Sequence, residues 1–277
     1  MAQQEFGGAG AFSLLLAVQA ASISGDFPVG GNDIDIFEEA DDLFARMAED
    51  IDRAEQHVHI EFYIALEDPT SARVFAALER AALRGVACRM LLDGIGSRAL
   101  LTSERHSQLR AAGVRVVEAL PVGMVRRRFG RIDLRNHRKI VVIDRHTGYI
   151  GSHNLAAKDF KVKERYAPWI DATMRVSGPA ANDLQKIFVE DCYLETDESL
   201  LHFVGDSVRD GSTPAMAQVL GAVEEEDRSL ADERPEVVSL RLEPVIASPT
   251  GVVVLGASAR IEVPAVRAET EVRRLSD

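Results

Sequence analysis

Apolar and polar positions along this chain recur with two different periods, and the switching between them outlines an α/β protein. In FEEADDLFARMAEDIDRAEQ, residues 37–56, the apolar positions recur at helical spacing and predict an amphipathic helix. HVHIEFYI (57–64) comes next as a strand, a second helix runs from about Ser71 to Arg84, and VACRMLLD (86–93) reads as the next strand. Alternation along the first of these strands puts His57, His59, Glu61 and Tyr63 on one face. That face reads either as a metal site or as the wall of a substrate pocket. Glu61 and Tyr63 are expected to line or support a pocket, and no metal is expected. GIGSRAL after Asp93 is a loop at the carboxyl end of a strand, where α/β proteins often bind ligands.

Residues 137–143 alternate as a further strand, with His137, Lys139, Val141 and Ile143 on one face and Arg138, Ile140 and Val142 on the other. Asp144 opens the turn-like DRHTG, and Tyr149 to Asn154 reads as a returning strand that folds Ser152 and Asn154 back toward His137 and Lys139. These residue types suit a phosphodiester. Its reaction needs a nucleophile, cationic and neutral donors for the nonbridging oxygens, and a proton for the leaving alcohol. His137 can be nucleophile or acid, Lys139 supplies a compact positive charge, and Ser152 and Asn154 are neutral donors that cost less to desolvate than further charges. The catalytic candidates are therefore His137, Lys139, Asp144 and Asn154, although the position of Asp144 reads as the pin of the turn. Ser152 and Arg138 are the candidate phosphate-binding pair. A lone HxK would be only a basic hairpin, but HxK, four residues, Asp, six residues and GSxN together fix six identities.

In NHRKIVVIDRHTGYIGSHN (136–154) the chain resembles the phospholipase D superfamily, and HRKIVVID with GSHN is most similar to its bacterial cardiolipin synthase branch. GGNDIDIFEEADDLFARMAEDIDRAEQHVHIEFYI resembles that branch's opening strand, helix and strand. RVFAALERAALRGVACRMLLDGIGSRAL and YAPWIDATMRVSGPAANDLQKIFVEDCYLET resemble the branch's later strands and helices, so the likeness covers about residues 25–201. It implies an α/β phospholipase D-like lobe, a mixed β-sheet flanked by helices. It also implies a metal-free and cofactor-free reaction in which His137 attacks the lipid phosphorus, with Lys139 and Asn154 holding the phosphate. A histidine nucleophile needs a carboxylate at its other ring nitrogen. The family's W-x-D acid matches Asp171, with Glu164 a competitor in sequence and a turn-forming role open to Asp171. The family pattern carries two HxK motifs, the second histidine protonating the leaving group. This chain carries one, because none of His57, His59, His106, His146, His153 and His202 is followed two residues later by lysine.

Composition sets the limits of the lobe. Residues 206–277 contain no aromatic residue, histidine, cysteine or lysine, and carry five prolines and the acidic run Glu224 to Asp227. Such a stretch is poorly equipped to build a core. The expected organisation is an apolar, weakly ordered lead (1–24), the phospholipase D-like lobe (25–204) and an acidic, poorly structured tail (205–277) in which SLRLEPVIASPTGVVVLGASARIEVPAV leaves room for a strand or two. A net charge of −12 weighs against sequence-independent nucleic-acid binding. Yet Arg126, Arg127, Arg128, Arg131, Arg135, Arg138 and Lys139 crowd together, a patch that suits anionic headgroups or is simply a solvated basic loop. The lead, AGAFSLLLAVQAASIS, is too short and interrupted for a span, and Cys88 and Cys192 imply no disulfide framework. The chain is thus expected at the cytoplasmic side of the membrane, in peripheral contact, or otherwise in the cytoplasm.

The leading functional reading is a phosphatidyl transferase converting phosphatidylglycerol to cardiolipin and glycerol, present here as a half-site. The alternatives are a phosphodiesterase or nuclease active as a homodimer of single-motif chains, and an inactive lobe that binds lipid or phosphate without turnover.

Overall fold

The computed structural model describes residues 27–121, 135–158, 160, 171–205, 215–219, 237–248 and 251–261 of the 277. Its centre is an eight-stranded mixed sheet in the order β4-β3-β2-β5-β6-β7-β1-β8. The strands are β1 (Val29–Phe37), β2 (His57–Phe62), β3 (Ala87–Asp93), β4 (Arg115–Ala119), β5 (Lys139–Ile143), β6 (Thr147–Gly151), β7 (Thr173–Ser177) and β8 (Ala215–Ala217). Strands β2, β3 and β4 run parallel, as helical crossovers require, whereas β5, β6, β7, β1 and β8 join antiparallel. The helices are α1 (Ala40–Asp52), α2 (Ala72–Leu83), α3 (Arg98–Leu101), α4 (Glu104–Ala112) and α5 (Ala180–Thr196). The predicted mixed sheet flanked by helices is therefore the observed architecture.

The period-two pattern of β5 explains where the core lies. Val141 and Ile143 pack with Leu43, Phe44 and Met47 of α1 on one side of the sheet. Ile140 and Val142 pack with Leu184 and Ile187 of α5 on the other. Both faces are buried, so every one of these five positions is apolar except Lys139 at the strand's start.

The sheet's last strand comes from beyond the expected lobe boundary at 204: β8 pairs with β1 through Val29↔Ala217 and Asn32↔Ala215. Further along, β9 (Val237–Ser248) and β10 (Gly251–Ile261) pair antiparallel in a separate two-stranded sheet, in the segment whose β-branched runs left room for strands. The apolar lead of residues 1–24 lies outside the described residues.

His57 and His59 are core residues. Both are fully buried beneath α5, and both hydrogen-bond the Gln185 side chain, His57 Nε2 and His59 Nδ1 each at 3.1 Å from Oε1. The His59 ring stacks on Phe188. Burial holds His57 down at about 4 and His59 at about 2, so both are neutral in the folded protein at pH 7. Among the described residues, no group of three or more His, Cys, Asp or Glu side chains is placed to hold a metal ion.

Because the unfolded chain binds protons near pH 6.5 that the folded chain refuses, stability is intact above that pH and is lost as pH falls through 6.5 toward 4. Urea midpoints are expected to fall from pH 7 to pH 4.5, and more shallowly in His59→Phe, which keeps a ring on Phe188 and cannot titrate. Parallel pH profiles for the two proteins would overturn the neutral-histidine assignment.

Candidate functional site

One row of cross-strand partners fixes where the chemistry gathers. Phe62 of β2 faces Lys139 of β5, which begins one residue before Ile140 pairs with Ile150, and Gly151 of β6 faces Thr173 of β7. The carboxyl ends of β2 and β6 and the amino ends of β5 and β7 therefore lie at one edge of the sheet. His137 and Asn136 precede that edge, Ser152, His153 and Asn154 come after it, and Asp171 lies just ahead of β7. Gly151 is required here because a Cβ would meet the Ala172 carbonyl oxygen at 2.3 Å. The glycine of GSxN is thus explained by the closeness of the two backbones.

His137 is half-buried, and its ring meets the Tyr63 ring edge-on with centroids 4.2 Å apart. Lys139 Nζ donates to the carbonyl oxygen of His137, which holds the ammonium beside the residue that carries the imidazole. Lys139 also shares the wall of a small pocket with Phe62, His153 and Thr173, where His153 Nδ1 lies 3.0 Å from Thr173 Oγ1. Asn154 Oδ1 accepts from the Ile64 amide at 3.2 Å. That bond uses the amide's oxygen as acceptor, so the group's donor capacity resides on Nδ2.

Ser152 is turned differently from the expectation. Its Oγ donates to Asp171 Oδ1 at 2.9 Å and accepts from the Ala172 amide at 3.0 Å. The hydroxyl's shorter contact is thus to Asp171, with the Ala172 carbonyl oxygen at 3.4 Å as a second acceptor, and Ser152 ties that carboxylate to the site edge. Asp171 is brought to the site edge as its placement beside the W-x-D strand implied; Glu164 and Trp169 lie outside the described residues.

Two expected site residues belong elsewhere. Asp144 sits at the far end of β5, about 17 Å from Lys139 at about 3.4 Å per strand residue. Its carboxylate accepts from the amides of Glu55, Gln56 and His57, each at 2.8 Å. With φ of 52° it tolerates the left-handed turn that aspartate accommodates better than most residues. Asp144 is the pin of the turn and is too distant for the catalytic set. Arg138 points to the opposite face from Lys139, where its Nη1 contacts Asp191 Oδ1 and Oδ2 at 2.7 and 2.6 Å. It is an internal counter-ion, which corrects its expected role as a phosphate ligand.

The basic patch narrows for the same reason. Arg135 is buried against Asp93 at 2.5 Å, while Arg126, Arg127, Arg128 and Arg131 lie outside the described residues. The GIGS loop is also occupied with support: Ser97 Oγ donates to the Tyr63 carbonyl and accepts from the Ala65 amide, steadying the backbone below His137's ring partner. Sequence reasoning passed over Asn136 and Asp191. Asn136 Nδ2 donates to Glu61 Oε1 at 2.6 Å and to Asp191 Oδ2 at 3.0 Å. Asn136 heads the motif run, and Asp191 stands in EDCYLET; neither position carried a spacing signal.

Residues 47–191 match the family model described as cardiolipin synthase, PLD-like domain. The chain belongs to this family. The matched span runs from α1 to Asp191 and so contains every site residue just described. Cardiolipin synthase A of Yersinia pseudotuberculosis serotype O:1b (strain IP 31758) is 37% identical over 174 residues, which covers 62% of this chain and 36% of that protein. Cardiolipin synthase A of Yersinia pestis bv. Antiqua (strain Angola) matches with the same figures. The chain thus spans about a third of the length of these curated relatives. Among solved structures, the phospholipase D family member Nuc from Salmonella typhimurium aligns at a TM-score of 0.42 and 14% identity, over 58% of this chain and 95% of that one. NucT from Helicobacter pylori aligns at 0.40 and 11%, over 58% of this chain and 96% of that one.

Removing the Asp144 carboxylate takes the acceptor from three amides, two of them within reach of water, so Asp144→Ala is expected to lower unfolding stability by roughly 1–3 kcal/mol in urea titrations. A loss below about 0.5 kcal/mol would show that the turn does not need its pin.

Proposed function

We propose that this lobe transfers phosphatidyl groups in the manner of a cardiolipin synthase, with phosphatidylglycerol as donor and His137 as nucleophile. The observation that carries this reading is the gathering of His137, Lys139, the Asn154 amide and the Ser152-held Asp171 at one sheet edge. His137 attacks phosphorus, a P–N bond forms, and the P–O bond to the departing glycerol breaks. A second alcohol, the hydroxyl of another phosphatidylglycerol, then displaces the imidazole and gives up its proton. Lys139 and Asn154 Nδ2 stabilise the charge that grows on the nonbridging oxygens. Asp171 supports the histidine's second ring nitrogen and the positive charge it acquires. No step calls for a metal or an organic cofactor.

The leaving glycerol oxygen requires a proton, and this chain's sequence holds a single HxK motif. A second copy of the chain, related by a two-fold axis at the motif edge, supplies the second His137 in this reading. The lipid substrate demands contact with a bilayer, which we place at the cytoplasmic face as a peripheral association aided by Arg126, Arg127, Arg128 and Arg131. No helix among the described residues is long and apolar enough to cross a membrane. Cys88 and Cys192 are free and buried, in keeping with a reducing compartment.

Solution mass and phosphatidylglycerol turnover are to be measured together for wild type and His137→Ala. The expected outcome is a dimer whose rate falls roughly 1,000-fold or more on substitution, with radiolabelled lipid phosphate retained on wild type alone. Equal rates for the two proteins would sink the nucleophile assignment, and a plasmid cut faster than vesicles are turned over would sink the lipid reading.

A further inference from the structure

The side of β2 and β5 away from Lys139 carries a polar cluster that the proposed reaction does not use. Asn136 Oδ1 accepts from the Arg138 amide at 2.9 Å, an Asx turn that closes over His137. Its Nδ2 is shared between Glu61 Oε1 and Asp191 Oδ2, and the Arg138 guanidinium grips Asp191 as well. The residues on both sides of His137 are therefore tied to the same carboxylate of α5, while Tyr63, two residues beyond Glu61, meets the imidazole itself.

We infer that Asn136, held by Glu61 and Asp191, is a positioning residue for His137: it fixes the backbone on which the imidazole is carried. The inference rests on the reading of His137 as nucleophile and deepens it. A peptide plane beside the nucleophile that swings by even an ångström takes the imidazole out of line with phosphorus. Four hydrogen bonds from one face of the sheet prevent that swing without placing any further group in the substrate's path.

Charge balance assigns the state of Glu61. Arg138 neutralises one carboxylate, and Asp191, in contact with it, is that one. Glu61 is 4% exposed, and its Oε2 is buried with no hydrogen-bond partner, which a second negative charge could not tolerate. Burial, with the Asp191 charge beside it, raises Glu61 well above the ordinary carboxylate range, against the smaller opposing pull of Arg138 and Lys139. Glu61 is thus a neutral acid, and glutamine is its closest substitute.

The test uses the full chain. Histidine ring spectra by long-range 15N–1H NMR read the His137 tautomer and ordering without turnover, and the buried His57 and His59 rings report on the core. In Asn136→Ala and Glu61→Ala the His137 signals are expected to shift and broaden while His57 and His59 stay in place. Glu61→Gln keeps the wild-type pattern. Formation of the lipid-phosphate adduct is expected to fall about 10- to 100-fold in the two alanine variants, with KM for phosphatidylglycerol within about twofold. Wild-type His137 signals in Asn136→Ala would overturn the inference, and Glu61→Gln behaving as Glu61→Ala would overturn the neutral acid. If Glu61→Ala loses its core signals, Asn136→Ala decides alone, since its side chain is half-buried at the sheet edge. If wild type forms no adduct, the nucleophile reading fails while the ring spectra still decide whether Asn136 positions His137.

Discussion

The register of β5 against β2 is the constraint on which the site depends. Five antiparallel pairs, from Val58↔Ile143 to Phe62↔Lys139, set it, and the Asp144 carboxylate locks it by gripping the amides at the start of β2. A strand's side chains alternate with period two, so a slip of one residue would turn Lys139 toward α5 and bury Arg138 against α1. The apolar faces resist such a slip because Val141 and Ile143 belong to one core and Ile140 and Val142 to the other. The motif's aspartate, far from the reacting atoms, thus secures the address of its histidine and lysine.

With the register fixed, the charges divide by face. The side turned toward α5 is filled with internally balanced groups: Arg138 with Asp191, a protonated Glu61, and the neutral pair His57 and His59 on Gln185. Arg135 is cancelled by Asp93 in the same way. Among the described residues, the polar side chains gathered on the other side of the sheet edge include Lys139 and the Asn154 amide. A site with few charged donors is inexpensive to desolvate, and each donor acts through a lower dielectric than it would on an open arginine-rich surface. Arg135 and Arg138, which flank the start of the motif, are therefore engaged by carboxylates of the fold itself.

Much of this was legible in sequence. The alternation from 140 to 143 gave the correct faces, and α1, α2, β2 and β3 fall within a few residues of their predicted spans, while Asp144, read both as a catalytic candidate and as the pin of the turn, stands as the pin. Two side chains expected to bind phosphate are engaged elsewhere for a shared reason. Arg138 and Ser152 look available in a linear motif, but each is claimed by a carboxylate that only the fold brings near, Asp191 from 53 residues away and Asp171 from 19. Nothing in the spacing around Asp191 marks it, because its partners lie on β2 and ahead of β5 while it stands on α5. The returning strand expected over 149–154 ends at Gly151, and Ser152 beyond it turns its hydroxyl toward Asp171.

These assignments change how the family motif is read on this chain. HxK and GSxN mark the two strand ends that meet, but the side chains that give the meeting point its geometry are the ones between and behind them. Asp144 fixes the strand, Gly151 lets β7 approach, Ser152 sets Asp171, and Asn136 ties the chain ahead of β5 to α5. Each acts through backbone amides or another side chain, so each could be replaced in another chain by a different local solution with the same outcome. In the proposed reaction His137, Lys139 and Asn154 have no such freedom, because that reading asks a nucleophile, a cation and an amide donor to meet at one edge.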